Sequence, residues 1–379
     1  MNLHCLSCKR TYPHDTHQWR CECGGVFDLE VAPGFAQDEI ETSDFSLWRY
    51  RAMLPVKYDD AASGGVISLG EGLTPLVETQ VYDTKIHCKL EFLNPTGSFK
   101  DRGTAVLINV LRGLGVKRVV EDSSGNAGAS LAAYAARSAY DAARSGIEAE
   151  IYVPAYASPN KLAQISAYGA KLVKVEGTRE RTAEAVQEAA AQGAYYASHN
   201  YNPFPLEGLK TIAYEIWEQL GRCAPDNVVL PVGQGNLLLG AYRGFKDLLT
   251  TGLIKKPPRL FAIQAAPCAP LYEAYQRGLD DAFPIEKNET IAEGISSARP
   301  VRGRQLLAAV REMGGAVLAV SDEATLRARD QLARRGLYIE PTSAVAIAAL
   351  PQLRGPIGPK EITIVPLTGS GLKSQAKGD

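Results

Sequence analysis

Methionine and tryptophan are scarce in this chain, at three each among 379 residues. Cysteine is also sparse, at seven, which excludes a disulfide framework as the organising principle. No apolar run reaches the length needed to cross a bilayer, so no membrane partner is expected. The opening MNLHCLSCKRTYPHD lacks the apolar stretch of a secretion signal, so a cytoplasmic location is expected. Neither sign of charge dominates: 41 Lys plus Arg stand against 42 Asp plus Glu, a net charge of −1. A nucleic-acid surface would need a basic surplus, so nucleic acid is not an expected partner either. Internal repeats and low-complexity tracts are missing too. What is present is an ordinary globular-enzyme composition, 45% apolar and 22% charged, long enough for two core-building units and a small appendage.

Four of the seven cysteines fall within the first 23 residues. They read Cys5-x2-Cys8-x12-Cys21-x-Cys23, followed by Gly24 and Gly25. In a reducing compartment two close pairs on turns suggest a tetrahedral thiolate metal site, zinc first, although the second pair is one residue tighter than in the usual ribbon. A metal-free ribbon with free thiols is the plainer alternative. His4, His14 and His17 lie nearby, but a full cysteine set leaves them unneeded. Residues 1–30 thus read as a module of their own, and 31–65 as an irregular connector with one short helix around Asp44–Arg51.

From about Val66 short β-branched runs alternate with Ala-rich helical segments. The runs are Lys117–Val120, Ala149–Val153, Lys171–Val175, Asn227–Pro231, Arg259–Gln264 and Glu361–Pro366. The helical segments are Asn126–Arg144, Pro159–Tyr168, Arg179–Gln192, Leu206–Leu220, Asn236–Leu249, Gly303–Met313, Asp322–Arg335 and Thr342–Gln352. This alternation predicts an α/β protein with mostly parallel sheets. The stretch Ser138–Gly146 either lengthens a helix or adds a loop.

Four segments carry chemistry. In Asn94–Gly103, NPTGSFKDRG, a Pro-Gly turn leads into a helix start that holds Lys100. The positive helix end disfavours an ammonium there, and a lysine of lowered pKa is what attacks an aldehyde. Alone, such a lysine is more often a solvated surface residue. Asp122–Ser130, DSSGNAGAS, follows a strand and opens a helix, an arrangement whose N–H groups and hydroxyls suit a carboxylate. A plain turn capped by Ser or Asn would look the same. Pro231–Gly240, PVGQGNLLLG, is again strand, glycine turn and helix, suited to a phosphate but lacking the third glycine of a dinucleotide fingerprint. Pro366–Lys373, PLTGSGLK, offers the Thr368 hydroxyl to a neutral ring nitrogen, where the bland reading is a Thr-Gly turn. Amine, carboxylate cradle, phosphate cradle and ring partner are together what pyridoxal phosphate and an amino acid require.

These segments carry a resemblance. SLGEGLTPL (Ser68–Leu76), KLEFLNPTGSFKDRG (Lys89–Gly103), EDSSGNAGAS, LEGLKT (Leu206–Thr211) and PLTGSGLK resemble the threonine synthase family, within the tryptophan-synthase-β-like pyridoxal-phosphate enzymes. The likeness spans about Ser68 to Lys373 plus the cysteine module. It implies two mostly parallel α/β subdomains with the cofactor between them: a large one of residues 66–103 and 206–379, a small one of 104–205, and the zinc-ribbon-like module 1–30. It implies Lys100 as the lysine that holds the cofactor as a Schiff base and acts as the base, and Asn126 beside the ring hydroxyl. It implies Gly233, Gln234, Gly235, Asn236 and Leu237 around the cofactor phosphate, and Thr368 on the pyridine nitrogen. Ser123, Ser124 and Ala127 fall in the substrate-carboxylate loop. A homodimer acting on a small amino acid is implied as well.

Two departures stand out. The phosphate loop reads VGQGN, with its glycine–asparagine pair shifted by one residue. More consequentially, NYNPFPLEGLKT has Pro205 where many members carry an arginine expected to bind the substrate's own phosphate, and proline offers neither charge nor donor. Lys210, Arg302 and Arg304 are candidate replacements. The expected activity is conversion of O-phosphohomoserine and water to threonine and phosphate. The alternative is a β-eliminating or β-replacing enzyme, such as a threonine/serine dehydratase or a cysteate-synthase-like enzyme. A non-catalytic ligand-binding relative would not need Lys100, Asn126 and Thr368 together.

Overall fold

The computed structural model describes residues 2–56, 65–140, 146–157, 159–177 and 179–374. It divides into two compact units, Met1–Glu71 with Lys100–Gly208, and Gly72–Phe99 with Leu209–Asp379.

The second unit is built on a six-stranded sheet. Its order is Val317–Val320, Arg259–Ala265, Asn227–Pro231, Thr363–Pro366, Thr84–Lys89 and Leu76–Val81. The five neighbouring strands from Val317–Val320 to Thr84–Lys89 pair in parallel, and Leu76–Val81 closes one edge antiparallel. Every residue of Asn227–Pro231 is buried, as expected of a central parallel strand covered on both faces. The antiparallel hairpin was not visible in the alternation. Leu76–Val81 is half exposed, and its two-residue turn uses Tyr82 and Asp83 at φ 50° and 58°, a left-handed pair more often made by Asn-Gly. The expected helix Thr342–Gln352 is divided into Pro341–Ala348 and Leu350–Leu353. Pro351 lacks the N–H that would continue the first helix, so the chain restarts there.

The first unit holds a four-stranded parallel sheet, ordered Lys171–Val175, Glu148–Pro154, Arg118–Glu121 and Tyr195–Tyr196. A small antiparallel sheet of Thr11–Pro13, Asn2–Cys5 and Phe27–Leu29 forms the cysteine ribbon. Ribbon residues Leu3, Cys5, Tyr12 and Phe27 share one apolar cluster with Trp48 and with Ala105–Ile108 of the helix Lys100–Gly113. The connector is not a spacer: Trp48 is buried, its Nε1 donates to Glu71 Oε1 (2.7 Å), and Tyr134 Oη donates to Glu71 Oε2 (2.7 Å). The short helix expected around Asp44–Arg51 is a 3-10 segment, Leu47–Met53, with Ser46 as its cap. The helix expected over Asn126–Arg144 ends at Ser138, and residues 141–145 lie outside the described residues.

Candidate active site

Lys100 is the first residue of the helix Lys100–Gly113. The turn before it is pinned by backbone bonds. Asn94 O accepts from Gly97 N (2.8 Å), Gly97 O accepts from Ser370 N (3.0 Å), and Thr368 O accepts from Phe99 N (3.1 Å). Gly97 sits at φ 82°, which explains the glycine in NPTGSFK. Lys373 Nζ donates to Thr96 O (2.8 Å) and closes the same turn. The first helical turn after Lys100 is pinned by side chains. Thr104 Oγ1 donates to the Lys100 carbonyl (3.0 Å) and lies 3.0 Å from His199 Nε2. Ser130 Oγ lies 2.7 Å from Thr104 Oγ1 and donates to Asp101 Oδ1 (2.6 Å). Burial, then the nearby Lys100 charge, holds the His199 imidazole well below its ordinary pKa, so it is neutral at pH 7.

The carboxylate-cradle candidates lie on the loop after Arg118–Glu121. The helix Asn126–Ser138 is capped by Gly125, with no side-chain cap bond. Neither Ser123 nor Ser124 is therefore the N-cap, although Ser123 Oγ accepts from Gly125 N (3.3 Å) within the turn. A Cβ on Gly128 would come within 1.9 Å of Ser123 O, so the loop is pressed onto the first helical turn. Ala127 is buried, while Ser123, Ser124 and Asn126 are partly exposed.

In the second unit the glycine turn joins Asn227–Pro231 to the helix Asn236–Thr250, which contains Leu237. Gly235 is its N-cap at φ 79°. A Cβ on Gly233 would lie 2.6 Å from Ile295 Cα. The side chain of Gln234 is directed to protein, with Nε2 donating to Ser297 Oγ (2.9 Å) and Oε1 accepting from Val301 N (3.1 Å). The loop thus offers backbone N–H groups at a helix start, the usual anion site. Thr368 has its amide on Ser343 Oγ (2.7 Å), yet its hydroxyl is buried and, among the described residues, has no hydrogen-bond partner. Ser98 Oγ is in the same condition.

Pro205 is buried at the second position of the helix Phe204–Gln219, where a missing N–H costs nothing. It packs on helix Lys100–Gly113: a Cβ on Gly103 would lie 3.0 Å from Pro205 Cβ. Of the candidate cations, Lys210 is buried 3.5 Å from Asp247 Oδ2, Arg304 is exposed, and Arg302 is buried beside Val301 with Nη1 donating to Gln305 Oε1 (3.0 Å). In the ribbon the Sγ atoms of Cys5, Cys8, Cys21 and Cys23 all lie within 4.8 Å of one another, and all four are free thiols.

The amino-acid sequence did not single out Thr104, Ser130, His199, Tyr196 or Asp122. His199 and Thr104 are 95 positions apart, so only the fold reveals the pair; the one local clue was a histidine just before NYNPFPLEGLKT.

A model of the family described as pyridoxal-phosphate dependent enzyme matches residues 67–369. The threonine synthase of Methanocaldococcus jannaschii is 37% identical, over 97% of this chain and 92% of that protein. The threonine synthase of Methanosarcina acetivorans is 33% identical, over 98% and 92%. Among solved structures, a threonine deaminase from T.th. aligns with a TM-score of 0.66 at 26% identity, covering 79% of this chain and 92% of that one. Maize serine racemase aligns at a TM-score of 0.68 and 22% identity, covering 79% and 88%, a likeness of fold alone.

Proposed function

The chain belongs to the threonine synthase family of pyridoxal-phosphate-dependent enzymes, and on that premise we propose that it converts O-phosphohomoserine and water to threonine and phosphate, with Lys100 as its catalytic lysine. The observation that carries the cofactor reading is Thr368. A buried hydroxyl without a protein partner, on the segment whose carbonyl binds Phe99 N, fits a group that arrives with a ring nitrogen. The glycine turn and helix start at Gly233–Leu237 fit that group's phosphate.

When bound, pyridoxal phosphate supplies an electron sink that stabilises a carbanion beside the amino nitrogen. The chain's residues do the rest. Lys100 would hold the cofactor, and its amine would take and return the α-proton. Thr368 would partner the ring nitrogen without giving it a full charge. Asn126 would stand beside the ring hydroxyl. Ser123, Ser124 and the first-turn N–H groups at Ala127 receive the substrate carboxylate.

Zinc on Cys5, Cys8, Cys21 and Cys23 belongs to the same proposal. Four thiolates at about 2.3 Å from a zinc ion stand roughly 3.8 Å apart, and the Cys5–Cys23 and Cys8–Cys21 sulfurs are each 3.5 Å apart. A cytoplasmic homodimer acting on a small-molecule amino acid completes the reading, supported by the family likeness.

Pro205 is the observation that favours β-elimination instead, because the expected phosphate-binding arginine is missing. The test compares O-phosphohomoserine, O-phosphoserine, threonine and serine as substrates, reading phosphate, ammonia and keto-acid release. Phosphate with threonine, from O-phosphohomoserine alone, is expected. Ammonia and keto acid from threonine or serine, with no use of O-phosphohomoserine, would replace this reading by a dehydratase.

A further inference from the structure

Between the strand Thr11–Pro13 and Cys21, the ribbon segment Thr16–Arg20 carries two rings at alternate positions, His17 and Trp19. Both meet the edge strand Tyr195–Tyr196. Trp19 stands edge-on to Tyr196 (centroids 5.3 Å apart, 78°) and to Tyr201 (4.7 Å, 79°). His17 stands edge-on to Tyr195 (5.8 Å, 76°). Arg20 lies over the Trp19 ring, 4.3 Å from its centroid.

Both tyrosines carry this contact inward. Tyr196 Oη, in a side chain only 3% exposed, donates to Asp122 Oδ1 at 2.7 Å. Asp122 is the residue immediately before Ser123 and Ser124. Tyr195 Oη accepts from Asn202 Nδ2 (2.7 Å), and Asn202 Oδ1 accepts from Phe204 N (3.0 Å) at the start of the helix that bears Pro205.

An aspartate at the mouth of a carboxylate cradle is an electrostatic hazard, since like charges repel strongly where water is thin. Asp122 is tolerable there if its charge is directed elsewhere, and the Tyr196 hydroxyl gives it a direction. The geometry points to a positioning role for the ribbon: through Trp19 and Tyr196 it holds Asp122 turned away from the loop Ser123–Gly125, so that this loop can receive an amino acid's carboxylate. This rests on the reading of that loop as the carboxylate site. Trp19 is two residues from Cys21, so the cysteine cluster anchors the device at its outer end.

The test uses the full-length holoenzyme with Trp19→Ala, Trp19→Phe, Tyr196→Phe and the double variant Tyr196→Phe/Asp122→Asn. Two constants are read: KM and kcat for O-phosphohomoserine, and the dissociation constant of L-threonine from the change in the bound cofactor's absorbance. Trp19→Ala and Tyr196→Phe should each raise both KM and the threonine constant by about three- to tenfold, with kcat moving less than about twofold. Trp19→Phe should bind nearly as wild type. The double variant should recover most of the loss, because the charge itself is removed; a merely structural tyrosine would show no such recovery. If Trp19→Ala does not fold, Tyr196→Phe and the double variant decide alone. Wild-type threonine binding in Tyr196→Phe, or a loss that Asp122→Asn does not relieve, would overturn the proposal. Should wild type ignore O-phosphohomoserine while L-threonine binding follows the expected order, the coupling stands and the reaction assignment falls.

Discussion

Thr368→Val is the most direct perturbation of the cofactor site, because its effects in the empty and loaded enzyme have opposite signs. Val keeps the shape of Thr and removes only the hydroxyl. That hydroxyl is 2% exposed and lacks a partner among the described residues. A buried, unsatisfied polar group costs about 1–3 kcal/mol, so its removal should leave the empty protein as stable or stabilise it by about 1 kcal/mol. A gain of that size raises the melting midpoint by about 2–4 °C in a domain of 150–250 residues. If Thr368 partners the ring nitrogen as proposed, losing that bond in the loaded protein removes about 0.5–1.5 kcal/mol. At 1.4 kcal/mol per tenfold, cofactor affinity should fall by about two- to twelvefold. The assays are melting curves of the cofactor-stripped protein and a pyridoxal-phosphate titration followed by absorbance. A stripped variant that melts several degrees lower, with cofactor affinity unchanged, would show that Thr368 serves the fold and refute the reasoning.

Lys100→Ala should abolish the near-visible band; borohydride on wild type should bleach it and leave the reduced cofactor attached at Lys100, and an adduct mapped to another lysine would move the assignment. Metal-replete, reduced protein should carry near one zinc per chain, and Cys8→Ser should release it while sparing the cofactor band; a metal content near zero would sink the site. His199 has a depressed folded pKa, so the unfolded chain takes up the proton first: its contribution to stability is full above the unfolded value of about 6.5 and is lost as pH falls below it, by at most about 1.4 kcal/mol per pH unit. His199→Gln should flatten the fall in urea midpoint below pH 6.5; an unchanged slope would contradict the buried neutral imidazole. Arg302→Gln should raise KM for O-phosphohomoserine by roughly ten- to a hundredfold while sparing L-threonine binding; loss of cofactor instead would place Arg302 on the cofactor's phosphate.

Local signals located what is local. The central strands were readable because continuous burial leaves an apolar run with turns at both ends, as in Asn227–Pro231. The Lys100 segment was readable because its turn needs glycine at a left-handed position and its helix starts one turn later. Other parts depend on long-range partners. SLGEGLTPL carries part of the family resemblance, and within it Glu71 is buried under Trp48 and Tyr134, 23 and 63 positions away, and serves the packing of its own unit. The lysine that opens KLEFLNPTG does similar work: Lys89 Nζ is fully buried on Thr74 O (2.5 Å), Glu215 Oε2 (2.7 Å) and Gln219 Oε1 (2.9 Å). Breaking such a pair leaves one buried charge uncompensated, at a cost of about 3–5 kcal/mol. Asp122 and Tyr196 are 74 positions apart, beyond any periodicity.

Pro205 can now be weighed on physical grounds. An arginine at that position would begin from the second residue of a helix that rests on Gly103, three residues after Lys100. Proline there keeps the helix start, since the first-turn N–H it lacks would have no helical acceptor. It also packs closely against Gly103. The substitution therefore removes a cation without disturbing the frame that holds Lys100. A frame kept intact while one charge is dropped is what a change in phosphate handling looks like, whereas loss of the reaction would be expected to reach Lys100, Asn126 or Thr368. All three are present. The remaining charge must come from elsewhere in the site or from backbone N–H groups. Lys210 is engaged with Asp247, Arg304 faces solvent, and Arg302 is buried with Nη1 on Gln305 Oε1, next to Val301, whose amide donates to Gln234 of the glycine turn. The family assignment and the missing arginine are therefore compatible, and what they jointly constrain is the route by which the substrate's phosphate is held.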